Sequence, residues 1–262
     1  MMNRITLTAM TLAISMMAIN AQASLIGYWN LNETAGPTAA DSSPSGADGT
    51  IGAGVTLNQP STHPGFGTAA RFDGTTGQSM GVINVGNAPF GSLQNNITIA
   101  AWINPDQTGG VRRVWGIDGP GAPQNAGYGF GLQGSGLRFT TFGVKDYNIG
   151  VAGGIQTGTW THVAAVMDGN NDVTFYVNGA SIGTITHSAP GNTTNADDFT
   201  IGGGSFFAQE RFVGLIDEVR VYDMALTGDQ IAALTRPVPE PATAALSMIS
   251  VGAVLTMRRR RA

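Results

Sequence analysis

Phe212-Val213-Gly214-Leu215-Ile216-Asp217-Glu218-Val219-Arg220-Val221-Tyr222 is the stretch from which the fold is best read. Strand side chains alternate between faces. Strict alternation puts Val213, Leu215, Asp217, Val219 and Val221 on one face. Gly214, Ile216, Glu218, Arg220 and Tyr222 then occupy the other. An aspartate in an apolar row must be hydrogen-bonded, paired or metal-bound, because a bare buried carboxylate is costly. Three partners fit Asp217: backbone N–H groups of a loop, an arginine such as Arg71, or calcium. Glu218 and Arg220 are expected to form an exposed pair on the opposite face.

Working outward, the same alternation predicts strands over 25–31, 69–73, 97–103, 111–117, 127–132, 137–142, 160–167, 173–177, 181–186 and 199–201. Between them lie turn signals, of which the 38 glycines are the most abundant. Asp168-Gly169-Asn170-Asn171 and Asn178-Gly179 read as tight hairpins, the second of type I′. One helix is predicted over 228–234, with Thr227 as N-cap and Gln230 completing a capping box. Arg236-Pro237 stops it. The fold class is all-β.

Residues 24–236 carry eight basic and sixteen acidic side chains, a net charge of −8. Such a surface repels phosphate backbones and argues against a nucleic-acid partner. Cysteine is absent, which excludes disulfides and thiolate zinc sites. Core burial, or core plus metal, must supply the stability.

Both ends read as addresses. Residues 1–23 combine Arg4, an apolar run over 5–19 and the triplet Ala21-Gln22-Ala23, a signal peptide with cleavage expected between Ala23 and Ser24. Residues 237–262 hold Val238-Pro239-Glu240-Pro241, an apolar run over 242–257 and Arg258-Arg259-Arg260-Arg261. An apolar helix followed by arginines is a stop-transfer segment with its basic end cytoplasmic. Those three parts in order resemble the PEP-CTERM sorting signal. That resemblance implies an exosortase-type enzyme acting near Pro239, Glu240 and Pro241. It also implies the exopolysaccharide-producing envelope of a Gram-negative-type bacterium, with the membrane as partner through helix 242–257 before processing.

Between the ends, five motifs occur in order. They are Ala69-Ala70-Arg71-Phe72-Asp73-Gly74; Ile97-Thr98-Ile99-Ala100-Ala101-Trp102-Ile103-Asn104-Pro105; Trp160-Thr161-His162-Val163-Ala164; Val173-Thr174-Phe175-Tyr176-Val177-Asn178-Gly179; and Gly214-Leu215-Ile216-Asp217-Glu218-Val219-Arg220-Val221-Tyr222. Together they resemble laminin-G-like domains of the concanavalin A-like lectin/glucanase superfamily. The resemblance implies a jelly-roll sandwich of two antiparallel sheets over 24–236, with a short C-terminal helix and a separate transmembrane helix beyond. It also implies one structural Ca²⁺, for which Asp217, Asp73 and Asp41 are the candidates.

Glycoside hydrolysis needs two carboxylates across a cleft. On a strand they must stand two or four residues apart to share a face. Asp217-Glu218 and Asp197-Asp198 are adjacent, which points their side chains to opposite faces and favours a non-catalytic chain. His63, His162 and His187 lie far apart in sequence. For sugar stacking, the candidates near Gly/Asn-rich turns are Trp115, Tyr128, Tyr147, Phe206 and Phe207. Trp102, Trp160 and Phe175 are expected in the core. Three functions compete: an envelope module binding polysaccharide or glycoprotein, a structural or adhesive matrix protein without a pocket, and a divergent polysaccharide hydrolase or lyase.

Overall fold

The structure, a computed structural model, describes residues 24–62, 64–76, 80–87, 90, 93, 95–117, 127–187, 198–204 and 208–237. The expected signal peptide, the Pro-Glu-Pro box, the apolar run over 242–257 and the four arginines lie outside them. Among the described residues no helix is long and apolar enough to cross a membrane.

The strands run in chain order as β1 (Leu25–Trp29), β2 (Thr38–Ala39), β3 (Gly49–Ile51), β4 (Val55–Pro60), β5 (Thr68–Phe72), β6 (Ile83–Gly86), β7 (Ile97–Pro105) and β8 (Val111–Ile117). They continue as β9 (Tyr128–Gln133), β10 (Gly136–Thr141), β11 (Lys145–Ile149), β12 (Thr161–Met167), β13 (Val173–Val177), β14 (Ala180–Ile185), β15 (Phe199–Ile201) and β16 (Gly214–Tyr222). Helix α1 (Gly228–Ala233) follows. Its Thr227–Gln230 capping box is formed from both sides.

These strands make two antiparallel eight-stranded sheets. The first runs β14-β13-β12-β7-β16-β5-β4, with β1 also paired to β16; the second runs β11-β10-β9-β8-β15-β6-β3-β2. The arrangement is jelly-roll-like, as the resemblance of the five motifs implies. Strand β16 is central. It pairs with β7 along one edge, while β5 and β1 share the other.

Strict alternation fails at one point on β16. Asp217 pairs with Trp102 and Arg220 with Ala100, so Glu218 and Val219 together oppose one residue of β7. Glu218 has φ 55°. This is a β-bulge, and the extra residue shifts the face parity. Ile216 points into the core before it, and Val219 and Val221 after it.

The core fills the space between the sheets. An aromatic series crosses it: Trp29 stacks on Phe199 at 5.2 Å, Phe199 on Trp115 at 5.4 Å, and Phe139 contacts Trp115 at 6.4 Å and Tyr147 at 6.2 Å. Each such pair adds about 0.5–1.5 kcal/mol beyond area burial. The Asn178-Gly179 turn has φ 49° and 81°, as a type I′ hairpin requires. A second, smaller apolar cluster (Ala100, Ala164, Val166, Tyr176, Leu226, Ile231) seats α1 on the outer face of the first sheet.

Candidate functional site

Strand β9 reads Tyr128-Gly129-Phe130-Gly131-Leu132. Its large residues enter the core, so its glycines line the outer face of the second sheet. Strand β9 itself contributes no side chain to that face at these two positions. A Cβ on Gly129 would lie 2.2 Å from Arg113 Nη1, so the glycine is what lets Arg113 lie across the sheet. The neighbouring strands β10 and β11 place Arg138 opposite Asn148 and Thr140 opposite Asp146.

These side chains are joined in one line. Glu210 accepts from Arg113 Nε at 2.5 Å, and Arg113 Nη1 donates to Thr140 Oγ1 at 3.3 Å. Thr140 donates to Asp146 at 2.8 Å. Asp146 pairs with Arg138 Nη1 at 3.1 Å, and Arg138 Nε donates to Asn148 at 2.7 Å. Arg113 also covers the Phe142 ring at 4.8 Å. The result is an open cleft of about 380 Å³ lined by Arg113, Arg138, Thr140, Phe142, Lys145 and Asp146, among others. Its polar groups are held in place by one another before any ligand arrives.

The stacking candidates lie elsewhere. Trp115, Tyr128 and Tyr147 are fully buried aromatic filler and are corrected from ligand contacts to core residues. The reason is parity: Trp115 opposes Phe130 and Tyr147 opposes Phe139, both inward-facing. Lys145-Asp146-Tyr147-Asn148 is a strand and not a polar loop. The Tyr147 hydroxyl donates to the Asn171 carbonyl at 3.2 Å. Phe206 and Phe207 lie outside the described residues. Trp102 and Trp160 are half-buried, whereas Phe175 is core. Trp102 sits on the outer face of the first sheet, edge-on to His162 at 5.5 Å.

The same outer face holds a buried ionic group. Glu218 and Arg220 pair there, each about 3% exposed, which corrects the expected surface pair. The Tyr28 hydroxyl donates to both Glu218 oxygens at 2.9 and 3.0 Å, and Arg220 covers the Tyr28 ring at 4.4 Å. Burial pushes the Tyr28 hydroxyl up to about 12. Asp217 lies on this face too and accepts from the Ser61 hydroxyl. Burial pushes its carboxyl up to about 8. Burial also lowers His162 to about 3, keeping the imidazole neutral.

The three aspartates do not fit calcium. Asp41 is filled by donors: Tyr28 N–H, Ser43 N–H and hydroxyl, the Ser45 hydroxyl and Ala47 N–H, all at 2.7–2.8 Å. Burial alone would raise its carboxyl, and those bonds outweigh it, leaving it lowered. Asp73 caps the turn at Thr75 N–H. Asp217 is fully buried and accepts from the Ser61 hydroxyl. Arg71 pairs with Asp106 and not with Asp217. Among the described residues no three His, Asp or Glu side chains gather as ligands.

Residues 76–232 match the model of the concanavalin A-like lectin/glucanases superfamily, more than half of the chain. The chain belongs to that superfamily. No curated protein matches it. Among solved structures, this superfamily member is similar to domain 4 of AbnA, a GH43 extracellular arabinanase from Geobacillus stearothermophilus, solved with arabinotriose. The identity is 24% and the TM-score 0.60, covering 82% of this chain and 99% of that one. It is also similar to the binding domain of Paraclostridial Mosquitocidal Protein 1, at 15% identity and TM-score 0.60, covering 81% of this chain and 52% of that one. A third is Trypanosoma rangeli sialidase with sialic acid, at 16% identity and TM-score 0.55, covering 81% of this chain and 32% of that one. At these identities the likeness concerns the fold.

Sequence reading missed Arg113, Arg138, Thr140, Asp146 and Glu210. A signal was present. In β9 large residues alternate with glycine, which marks a sheet whose outer face is kept clear.

Proposed function

We propose that this chain is a non-catalytic, exported binding module that holds a glycan of the cell envelope on the outer face of its second sheet. The observation that carries the reading is the line Glu210–Arg113–Thr140–Asp146–Arg138–Asn148, fixed across the outer face of the second sheet. Saccharides are recognised by such fixed arrays of donors and acceptors. Among the described residues the one exposed large hydrophobic is Met80, so apolar packing against a matrix has little to work with. Each cleft carboxylate is tied to an arginine, and Asp217 and Glu218 are sealed from substrate; both facts favour binding over hydrolysis. Export and exosortase-type sorting rest on the two terminal segments, with anchoring through helix 242–257 before processing.

A polysaccharide panel with the full chain tests this. Saturable binding is expected, lost in Arg138→Gln with an unchanged melting temperature. Release of reducing ends from any bound polymer would replace the reading with that of an enzyme. Binding insensitive to Arg138 would move the site elsewhere.

A further inference from the structure

The first strand of the sandwich has one neighbour. β1 pairs with β16 alone, outside the main order of its sheet, and its register breaks between Leu25 and Gly27. A chain end in such a position frays unless something ties it down. Here the tie is Ser24. Its N–H donates to Asp223 Oδ1 at 3.1 Å, and its carbonyl accepts from Asp223 N–H at 3.2 Å. This reciprocal pair lies next to the Leu25–Tyr222 pairing, on the outer side of the register break.

Two independent facts meet at the Ser24 nitrogen. In the sequence, Ala21-Gln22-Ala23 marks Ser24 as the first residue after export cleavage. In the fold, that nitrogen faces the Asp223 carboxylate. In the uncut chain it is a neutral amide with one hydrogen. Hydrolysis of the Ala23–Ser24 bond adds one water: the Ala23 carbonyl carbon leaves as a carboxylate, and the Ser24 nitrogen becomes an ammonium. An α-amino group titrates at about 7.7–8.0, so it is charged at neutral pH. Asp223 has no other cationic side chain within 4.0 Å among the described residues. Glu218 and Arg220, farther along β16, are paired with each other. Burial pushes the Tyr222 hydroxyl up, which keeps it neutral. A strand advances about 3.3 Å per residue, so a terminus at Ala23 or Leu25 would carry its charge away from this carboxylate.

We propose that export cleavage creates a latch: the new Ser24 ammonium pairs with the Asp223 carboxylate and fastens β1 to the end of β16. This rests on the export reading above and gives Asp223 a part in maturation. The uncut chain has the hydrogen bond without the charge, so the first strand is held more firmly once residues 1–23 are removed.

The test follows the reactivity of that amine in the exported, processed chain. An ammonium held by a carboxylate keeps its proton and acylates slowly. Mass spectrometry identifies the first residue and reads acylation near neutral pH, with Lys145, the one lysine of the sequence, as internal reference. The Ser24 amine is expected to react about threefold or more slowly than in Asp223→Asn, and Asp223→Glu to restore most of the slow rate. Inserting one alanine between Ala23 and Ser24 displaces the terminus by one residue. It should raise the rate to that of Asp223→Asn. High NaCl should narrow the difference in the unaltered chain, a comparison that needs no variant. A melting curve for each variant separates a lost pair from lost folding. Equal rates with Asp223 and with Asn, both chains beginning at Ser24, overturn the latch and leave the export reading standing. A chain that begins elsewhere, or that keeps residues 1–23 after export, overturns the cleavage site and the latch with it.

Discussion

Asp217 and Glu218 are neighbours in sequence, and both project from the outer face of the first sheet. Glu218, at φ 55°, is the bulged residue that brings this about. Adjacent strand residues otherwise diverge, so the bulge is what joins Glu218 to Arg220 and Tyr28 and seals all three beside Asp217. A buried pair of this kind is a poor source of net stability, but removing one partner is expensive. Glu218→Ala, which strands the Arg220 guanidinium, is expected to lower stability by about 3–5 kcal/mol. Chemical denaturation checks this, and a cost below about 1 kcal/mol would show that water reaches the pair.

Asp217 makes stability depend on pH. Its carboxyl is raised from 3.8 to about 8, so the folded state keeps a proton that the unfolded state has released. Its contribution is complete below about pH 4 and declines as pH rises through 8. His162 is lowered from 6.5 to about 3, so its contribution is lost in the opposite direction, as pH falls through that interval. Between pH 4 and 6.5 the two oppose each other. Above 6.5 Asp217 acts without that offset. The melting temperature is expected to drop from pH 6.5 to 8, reflecting a loss of about 2 kcal/mol, and Asp217→Asn should flatten that limb. A variant that retains the full slope would assign the proton to another group.

The two glycines of β9 separate folding from binding. A Cβ on Gly131 would lie 2.0 Å from the Arg112 carbonyl oxygen, a backbone atom of β8. A Cβ on Gly129 meets the far end of the Arg113 side chain. Gly131→Ala is therefore expected to cost about 3 kcal/mol. Gly129→Ala should cost less and yet weaken glycan binding by displacing Arg113. Paired measurements of melting and binding check the contrast; equal stability losses would refute it.

Tyr147→Ala offers a caution about interpreting binding losses. Its ring sits in the core aromatic series, so truncation is expected to cost about 3–5 kcal/mol. A variant that loses binding for this reason also shifts its melting curve. Tyr147→Phe keeps the ring, forfeits one hydrogen bond to Asn171, and should cost about 1 kcal/mol. Chelation with EGTA is expected to leave the melting temperature unchanged, because the donors around Asp41 and the sealed Asp217 leave those aspartates no place for a cation.

Most of the sandwich was legible because strands such as 173–177 carry clean alternation, and Asn178-Gly179 and Thr227–Gln230 are strong local signals. The strands β2, β3, β4, β6 and β11 were not, being short or polar. The site was largely hidden for a related reason. A binding face turned to solvent has no hydrophobic period, and its residues are assembled across β8, β10, β11 and the Ala208–Glu210 turn. The bulge at Glu218 was invisible to a rule of strict alternation, and that rule misplaced the buried acids.

The two ends of the sandwich meet. Leu25 pairs with Tyr222, Ser24 N–H donates to Asp223 at 3.1 Å, and α1 returns across the same sheet. The cleft opens on the opposite side. A chain that enters and leaves at one point behaves as a bead on a string, which can be spliced into a longer polypeptide with little disturbance to its packing.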